Sequence, residues 1–262
     1  TDNGLWSYDG INFKQFQHAT FPLQDVTNIQ EDIRNRIYFQ NFSGQIFTIQ
    51  EDSVLLDTIS SQLGFTVQTF SIIGEYIYYW NPKNVVVHHL ISQQTKILKE
   101  DLKLANNYTR AFSNNGFVMF HTDRDTGSCV HQFVHDSIIQ FSTPIRTDYT
   151  FIADYNNSWI IQQKINNEGS ALVNENNDII VDLSIAKEKL NITKFVVLDS
   201  IFILGCKEGL YLPHHNRLLL KGAYISDFIS DNEGNYWVST TNKGLLKINS
   251  LHYAYYPSPK NT

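Results

Sequence analysis

Short runs of apolar, β-branched and aromatic residues recur along this chain, and nearly every run is closed by Asn, Asp, Gly or Lys. The clearest stretch is Ile225-Ser226-Asp227-Phe228-Ile229-Ser230-Asp231, which turns through Asn232-Glu233-Gly234 and rises again as Asn235-Tyr236-Trp237-Val238-Ser239-Thr240. It turns once more at Asn242-Lys243-Gly244 and continues as Leu245-Leu246-Lys247-Ile248. Runs of this length and composition, bounded by turn residues, predict β-strands joined in hairpins. Helical periodicity is scarce. The best candidate covers 183–190, one or two turns lying in a connection.

The two ends of the chain repeat each other: Thr1-Asp2-Asn3-Gly4-Leu5 returns as Thr241-Asn242-Lys243-Gly244-Leu245. Between these anchors the sequence divides into six pieces of about 40 residues, the period of a four-stranded propeller blade. The predicted blades are 25–57, 66–99, 108–142, 148–182, 193–221 and 224–256. In the first of them Val26 to Asp32, Ile37 to Phe39, Gln45 to Ile49 and Val54 to Leu56 read as strands. An aromatic recurs in each second strand, at Tyr38, Tyr76, Phe117, Trp159, Phe202 and Trp237, where a large ring can fill the space between splayed sheets. The fold expected is all-β, a propeller of four-stranded antiparallel blades.

The phase of the repeat carries a further expectation. In the last piece Gly244-Leu245 leads into a third strand, so Leu5 to Tyr8 is predicted as a third strand and Phe13 to Phe16 as a fourth. Residues 1–17 are then the outer half of a blade, added to six full ones. The simplest geometry is a truncated seven-bladed ring, in a fragment with residues both before Thr1 and after Thr262. A six-bladed ring with an extra hairpin at its closure is the rival account.

The residues Thr1-Asp2-Asn3-Gly4-Leu5-Trp6-Ser7-Tyr8-Asp9-Gly10-Ile11-Asn12-Phe13 followed by Phe16, and Ile225 through Gly234-Asn235-Tyr236-Trp237-Val238-Ser239-Thr240 to Gly244-Leu245, resemble the two-component regulator propeller repeat. The resemblance is weaker over Val26 to Asp32 and Glu208-Gly209-Leu210-Tyr211. In the middle of the chain the Gly-Asn-x-Trp turn is lost. Such repeats build the extracytoplasmic sensor region of large membrane histidine kinases, many of them hybrid kinases, found chiefly in Bacteroidetes. The resemblance therefore implies a periplasmic sensor piece of an inner-membrane protein. Its membrane helix and kinase would lie downstream of this chain, which itself carries no kinase activity.

Composition agrees with an all-β domain. Of the 262 residues 42% are hydrophobic and 13% aromatic, enough to bury a large core. The formal charge is −6 and the 20 basic residues are scattered, which argues against a nucleic-acid surface. No apolar run approaches the ~18 residues that would span a bilayer. The two cysteines, Cys129 and Cys206, fall in different pieces and are expected as buried free thiols rather than a disulfide.

Candidate chemistry is sparse. Propeller glycosidases need carboxylates converging at the centre, about 5–10 Å apart, and the first strands offer Asp25, Asp148 and Asp227. No two of these form a convincing pair, so no catalytic residue is assigned. His121 opposite Cys129, with His131 on the same face, could hold a soft metal, but packed side chains explain the trio as well, and neither a metal nor a cofactor is expected. The pairs His88-His89 and His214-His215 point to opposite faces of a strand and cannot chelate together. Asp32, Asp154 and Asp231, with Gly234 and Gly244, read as turn architecture.

A ligand site is expected where the connections between blades meet those between second and third strands, since many loops there supply one cavity. Trp80, Arg110, Arg124, Lys164 and Lys207 fall in or near those segments, and a Trp platform among basic groups suits an oligosaccharide, especially an acidic one. The reading is a non-enzymatic sensor of an oligosaccharide or other small molecule, relaying its signal to a following domain or through a homodimer. An interaction or dimerisation scaffold and a propeller glycosidase or lyase are the alternatives.

Overall fold

The computed structural model describes residues 4–18, 25–63, 67, 69–80, 84–99, 112–113, 117–123, 127–135, 137–143, 152–155, 158–164, 170–174, 176, 178–184, 190–198 and 201–249. The chain divides into two compact units, Thr1–Asn157 and Ser158–Thr262.

The first unit opens with the hairpin β1 (Trp6–Tyr8) and β2 (Phe13–Gln15), strands within the segments Leu5 to Tyr8 and Phe13 to Phe16 that the repeat phase predicts. Next come β3 (Thr27–Glu31), β4 (Ile37–Gln40), β5 (Ile46–Gln50) and β6 (Ser53–Leu56), paired in that order. A second sheet runs through β7 (Thr69–Ile73), β8 (Tyr76–Trp80), β9 (Val85–His89) and β10 (Thr95–Lys99). A third contains β11 (Phe112–Ser113), β12 (Phe117–Asp123), β13 (Gly127–Val134) and β14 (Ser137–Thr143). β15 (Ile152–Tyr155) is the last described strand of this unit, and the second unit opens with β16 (Ser158–Lys164), β17 (Ser170–Asn174) and β18 (Ile179–Asp182), paired in that order.

The second unit continues with β19 (Ile192–Leu198), β20 (Ile201–Cys206), β21 (Leu210–Leu212) and β22 (Arg217–Leu219). It ends in β23 (Ile225–Ser230), β24 (Tyr236–Thr240) and β25 (Gly244–Ile248). Among the described residues, five sheets have four strands, one has three and one has two. Sequence neighbours are sheet neighbours throughout, the antiparallel meander of a propeller blade. The fourth strand predicted for the last blade, within 224–256, lies outside the described residues.

Alternation along the strands decides how the sheets pack. In β4 and β5 one face carries Phe39 and Phe47, stacked at 5.3 Å, and packs with Leu5 and Phe16 beside the N-terminal hairpin. The opposite face carries Tyr38 and Ile46, which pack with Phe70, Ile77, Tyr79 and Val86 of the second sheet. Ile203, Leu210 and Leu212 meet Ala223, Ile225, Phe228 and Val238 in the same way in the second unit. Each fully buried side chain of this kind contributes about 1.5–3 kcal/mol.

First strands of successive sheets lie beside one another, β3 by β7, β7 by β11, β11 by β15 and β19 by β23. Side chains bridge them. The Gln30 carboxamide accepts from Ile72 N–H at 2.8 Å and donates to Phe70 C=O at 3.1 Å. Thr193 Oγ1 donates to Ile225 C=O at 2.6 Å.

The turns are built as the aspartates and glycines predict. Asp32 Oδ1 accepts from the N–H groups of Arg34 and Arg36 at 2.8 and 2.9 Å, and Asp231 Oδ1 accepts from those of Glu233 and Asn235 at 3.0 and 2.8 Å. Gly234 and Gly244 sit at φ +79° and +72°, the left-handed region these turns require. The side chain of Asp154 lies outside the described residues.

Three local features depart from the sequence reading or extend it. A short helix, α1 (Thr58–Gln62), joins the first two full sheets, capped by Asp57 Oδ2 accepting from Ser60 N–H at 2.7 Å. Nothing in its apolar spacing announces it, because the cap supplies what periodicity does not. The pair His214-His215 is not in a strand: Pro213–His215 form a single 3-10 turn, since proline fixes φ and lacks the N–H a ladder needs. The predicted helical turn at 183–190 includes 185–189, which lie outside the described residues. Among the described residues no helix is long and apolar enough to cross a membrane.

Candidate functional site

Antiparallel pairing brings a set of connections to one end of the second unit. Ile192, at the start of β19, pairs with Cys206 at the end of β20, and Gly205 pairs with Leu210 at the start of β21. Leu210 pairs with Leu219 at the end of β22. Ile225 pairs with Thr240, and Thr240 with Gly244, in the last sheet. Segments 190–191, 207–209, 220–224 and 241–243 therefore lie at corresponding ends of their sheets.

Hydrogen bonds fasten these segments together. Gly222 N–H donates to Glu208 C=O and Thr241 N–H to Tyr224 C=O, both at 2.9 Å. The Asn242 side chain accepts from Tyr224 N–H and donates to Gly222 C=O, again at 2.9 Å each. Lys243 Nζ donates to Lys221 C=O at 3.1 Å. Lys207 Nζ stands 5.4 Å from the centre of the Tyr224 ring, within range of a cation–π attraction.

The result is three exposed lysines, Lys207, Lys221 and Lys243, on neighbouring connections, with Lys207 over the half-buried ring of Tyr224. One carboxylate, Glu208, belongs to the same segments, and it is already engaged by the backbone and side-chain N–H groups of Asn191. Burial alone would raise the Glu208 pKa, but those hydrogen bonds outweigh it and hold the carboxyl below its ordinary value. It stays ionised at neutral pH, leaving an excess of positive charge. Such an arrangement can hold an anionic ligand, with lysines as point-charge donors and the ring as a stacking surface.

Of the five residues expected to bind ligand, Lys207 is one of these lysines. Trp80 closes β8 and is 1% exposed. Its indole is buried and offers no surface platform, because both faces of β8 are covered: Ile77, Tyr78 and Tyr79 are buried with it. Lys164 ends β16, with its side chain outside the described residues, where Arg110 and Arg124 also lie. Sequence reading missed Lys221, Tyr224, Asn242 and Lys243. The available signal was the Lys-Gly pair in the connections at Lys221-Gly222 and Lys243-Gly244.

The carboxylates suggested for hydrolysis are placed as follows. Asp227 pairs with Lys194 at 3.0 Å and accepts from its neighbour Phe228 N–H at 2.8 Å, so its described partners are donors rather than a second carboxylate. Asp25 precedes β3 at φ +60°, and Asp148 lies outside the described residues. For the proposed metal trio, the backbone register does set His121 opposite Cys129, with His131 opposite Met119. Those side chains lie outside the described residues. Cys206 is a buried free thiol, pushed up to about 12 by burial and by the nearby Glu208.

No protein-family model matches this chain, and no curated protein matches it. Solved structures do. The extracellular domain assigned to a one-component system of B. thetaiotaomicron, BT4673, is 14% identical at a TM-score of 0.64, covering 94% of this chain and 36% of its own. That assigned to a hybrid two-component system of the same organism, BT3049, is 13% identical at 0.65, covering 95% and 38%. The WD40 propeller domain of Doa1 is 14% identical at 0.60, covering 94% and 86%. This chain thus spans little more than a third of the length of the two bacterial domains. Likeness at such low identity establishes the fold, an all-β propeller of antiparallel sheets.

Proposed function

We propose that this chain is the sensor propeller of a periplasmic receptor region, which binds a small anionic ligand such as an acidic oligosaccharide and passes the signal to a histidine kinase elsewhere in the protein. The observation that carries this reading is the match of 94–95% of the chain to extracellular domains of one-component and two-component systems. The two-component regulator propeller repeat at both ends of the sequence points the same way. Six four-stranded blades and the outer half of another, from a seven-bladed ring, are the architecture that goes with it.

The three lysines of these connections, with Lys207 over the Tyr224 ring, supply the chemistry of recognition. Ligand held there would bridge connections of two adjacent sheets, 207–209 from one and 241–243 from the other, and would favour one packing of those sheets over another. A following domain or a second protomer would read that bias.

A thermal-shift and calorimetric screen against acidic and neutral oligosaccharides, run beside an assay for new reducing ends, tests the proposal. A saturable rise in melting temperature with acidic ligands and no turnover is expected. Turnover would replace the sensor with a hydrolase or lyase, and silence with every ligand would move the reading to an interaction scaffold.

A further inference from the structure

The sheets of a propeller blade end in an outer strand, and an outer strand presents a row of backbone N–H and C=O groups to whatever lies beside it. Natural sheets blunt such edges with short strands, charges, prolines or bulges. Most outer strands of this chain follow that rule. β2 and β22 have three residues each and contain Lys14 and Arg217. β10 contains Lys96 and Lys99, and its register shifts between Ile97 and Lys99. β18 has four residues, ends in Asp182 and meets a register shift in β17. β6 has four uncharged residues, but Asp52 precedes it and Asp57 follows it.

β14 departs from all of them. It is seven residues long, Ser137-Ile138-Ile139-Gln140-Phe141-Ser142-Thr143, with no charge, proline or glycine. β-branched and aromatic residues, which suit a pleated surface, fill most of it. It stands last in the sheet order β11-β12-β13-β14. Its register with β13 runs unbroken from Val134 opposite Ser137 to Ser128 opposite Thr143. A backbone this long and regular is a template for one more strand.

We propose that β14 is a dimerisation edge, which pairs antiparallel with β14 of a second copy of this chain and joins two four-stranded sheets into one. The strand is complementary to itself. A two-fold axis at Gln140 sets position 139 opposite 141 and position 138 opposite 142. Isoleucine then stands opposite phenylalanine in both directions, a cross-strand pairing that stabilises sheets. No like charges meet, because the strand has none. Pairing about a two-fold axis is isologous and closes at two chains. A seven-residue edge makes a small interface of the transient class, so association should depend on concentration. The contact needs no ligand, and it stands whether or not the chain is a sensor.

Sedimentation velocity of the purified chain across the micromolar range tests this, with a monomer–dimer equilibrium expected. Gln140→Lys sets two ammonium groups opposite each other on the axis, and Gln140→Glu sets two carboxylates there. Each variant alone should weaken the dimer several-fold, and mixing the two should restore it. A chain that stays monomeric, or grows beyond dimers, overturns the proposal. So does a dimer indifferent to Gln140→Lys, or a pair of variants that do not associate with each other. Hydrogen exchange on the unaltered chain gives a reading free of any folding defect in the variants. Amides of β14 should exchange more slowly as the dimer forms, and exchange there that ignores concentration overturns edge pairing.

Discussion

The indole Nε1–H of Trp237 donates a 2.8 Å hydrogen bond to Oδ2 of Asp231. The bond spans the hairpin between β23 and β24, and it gives a reason for the Asp-x-x-Gly-Asn-x-Trp spacing that sequence shows without explaining. Asp231 Oδ1 organises the turn backbone while Oδ2 holds the Trp that follows.

This arrangement sets a pH window. Burial on its own would raise the Asp231 pKa, but hydrogen bonds from Asn235, Trp237 and the turn backbone bring it down to about 2. The folded value lies below the unfolded one of about 3.9, so the unfolded chain takes up the proton first. The stabilisation is complete above about pH 4 and is lost as pH falls toward the folded value. Melting curves between pH 5 and about 2 should show this loss, and Asp231→Asn should lack it. An unchanged acid profile in the variant would remove Asp231 from the account.

His88 should act in a separate window. Burial chiefly lowers its pKa from the ordinary 6.5, with Asp57 opposing, so the folded state prefers the neutral ring. Stability is then full above about pH 6.5 and declines as pH falls below it, since the unfolded chain binds that proton more readily. Replacing His88 by Gln should flatten the profile just below about pH 6.5, leaving the lower window of Asp231 intact. Thermal melts across the two windows separate the residues.

Gln30→Ala should lower stability by about 1–3 kcal/mol, since it strands the Ile72 N–H on the first strand of the next sheet, while the Phe70 C=O keeps its bond from the Asn28 side chain. Urea unfolding measures the change. A loss below about 0.5 kcal/mol would mean that solvent replaces the carboxamide without cost.

Two glycines in neighbouring positions should respond differently to alanine. A Cβ on Gly205 would stand 2.8 Å from Cγ2 of Ile225, a side chain that can give way, whereas on Gly209 it would stand 2.4 Å from the backbone oxygen of Leu219 at φ +148°. Gly205→Ala should cost about 1–3 kcal/mol, and Gly209→Ala should cost more or prevent folding. Soluble yield and urea midpoints rank the pair, and the reverse order would contradict the packing described.

Substituting Lys207, Lys221 and Lys243 together by Ala should weaken binding of an acidic ligand at least tenfold, about 1.4 kcal/mol. The unliganded melting temperature should fall only slightly, because the bond from Lys243 Nζ to Lys221 C=O and the Lys207–Tyr224 contact lie in exposed connections, where such contacts are worth little. Calorimetric titration at two salt concentrations checks both the loss and its electrostatic origin. Affinity that survives the triple change would put the site elsewhere.

The strand pattern was legible residue by residue. Ile37 to Phe39 is read from the sequence as a strand and lies within β4 (Ile37–Gln40) in the structure. The strands at residues 6–8 and 13–15 follow from their likeness to the last repeat and from its phase. The reason is local: period-two alternation and Asn, Asp and Gly turns are properties of short segments, and a repeat multiplies the signal.

What required the tertiary structure was every property that depends on what faces a residue. Trp80 looks like a binding platform in sequence and is interior in the fold, because packing covers both faces of β8. Lys207, Lys221, Tyr224 and Lys243 come from three connections that nothing in the sequence marks as adjacent; strand pairing and cross-loop hydrogen bonds assemble them. The chain's own pattern fixed the strands and their turns, through backbone conformation. Packing between sheets decided which side chains meet, because those contacts join residues far apart in sequence.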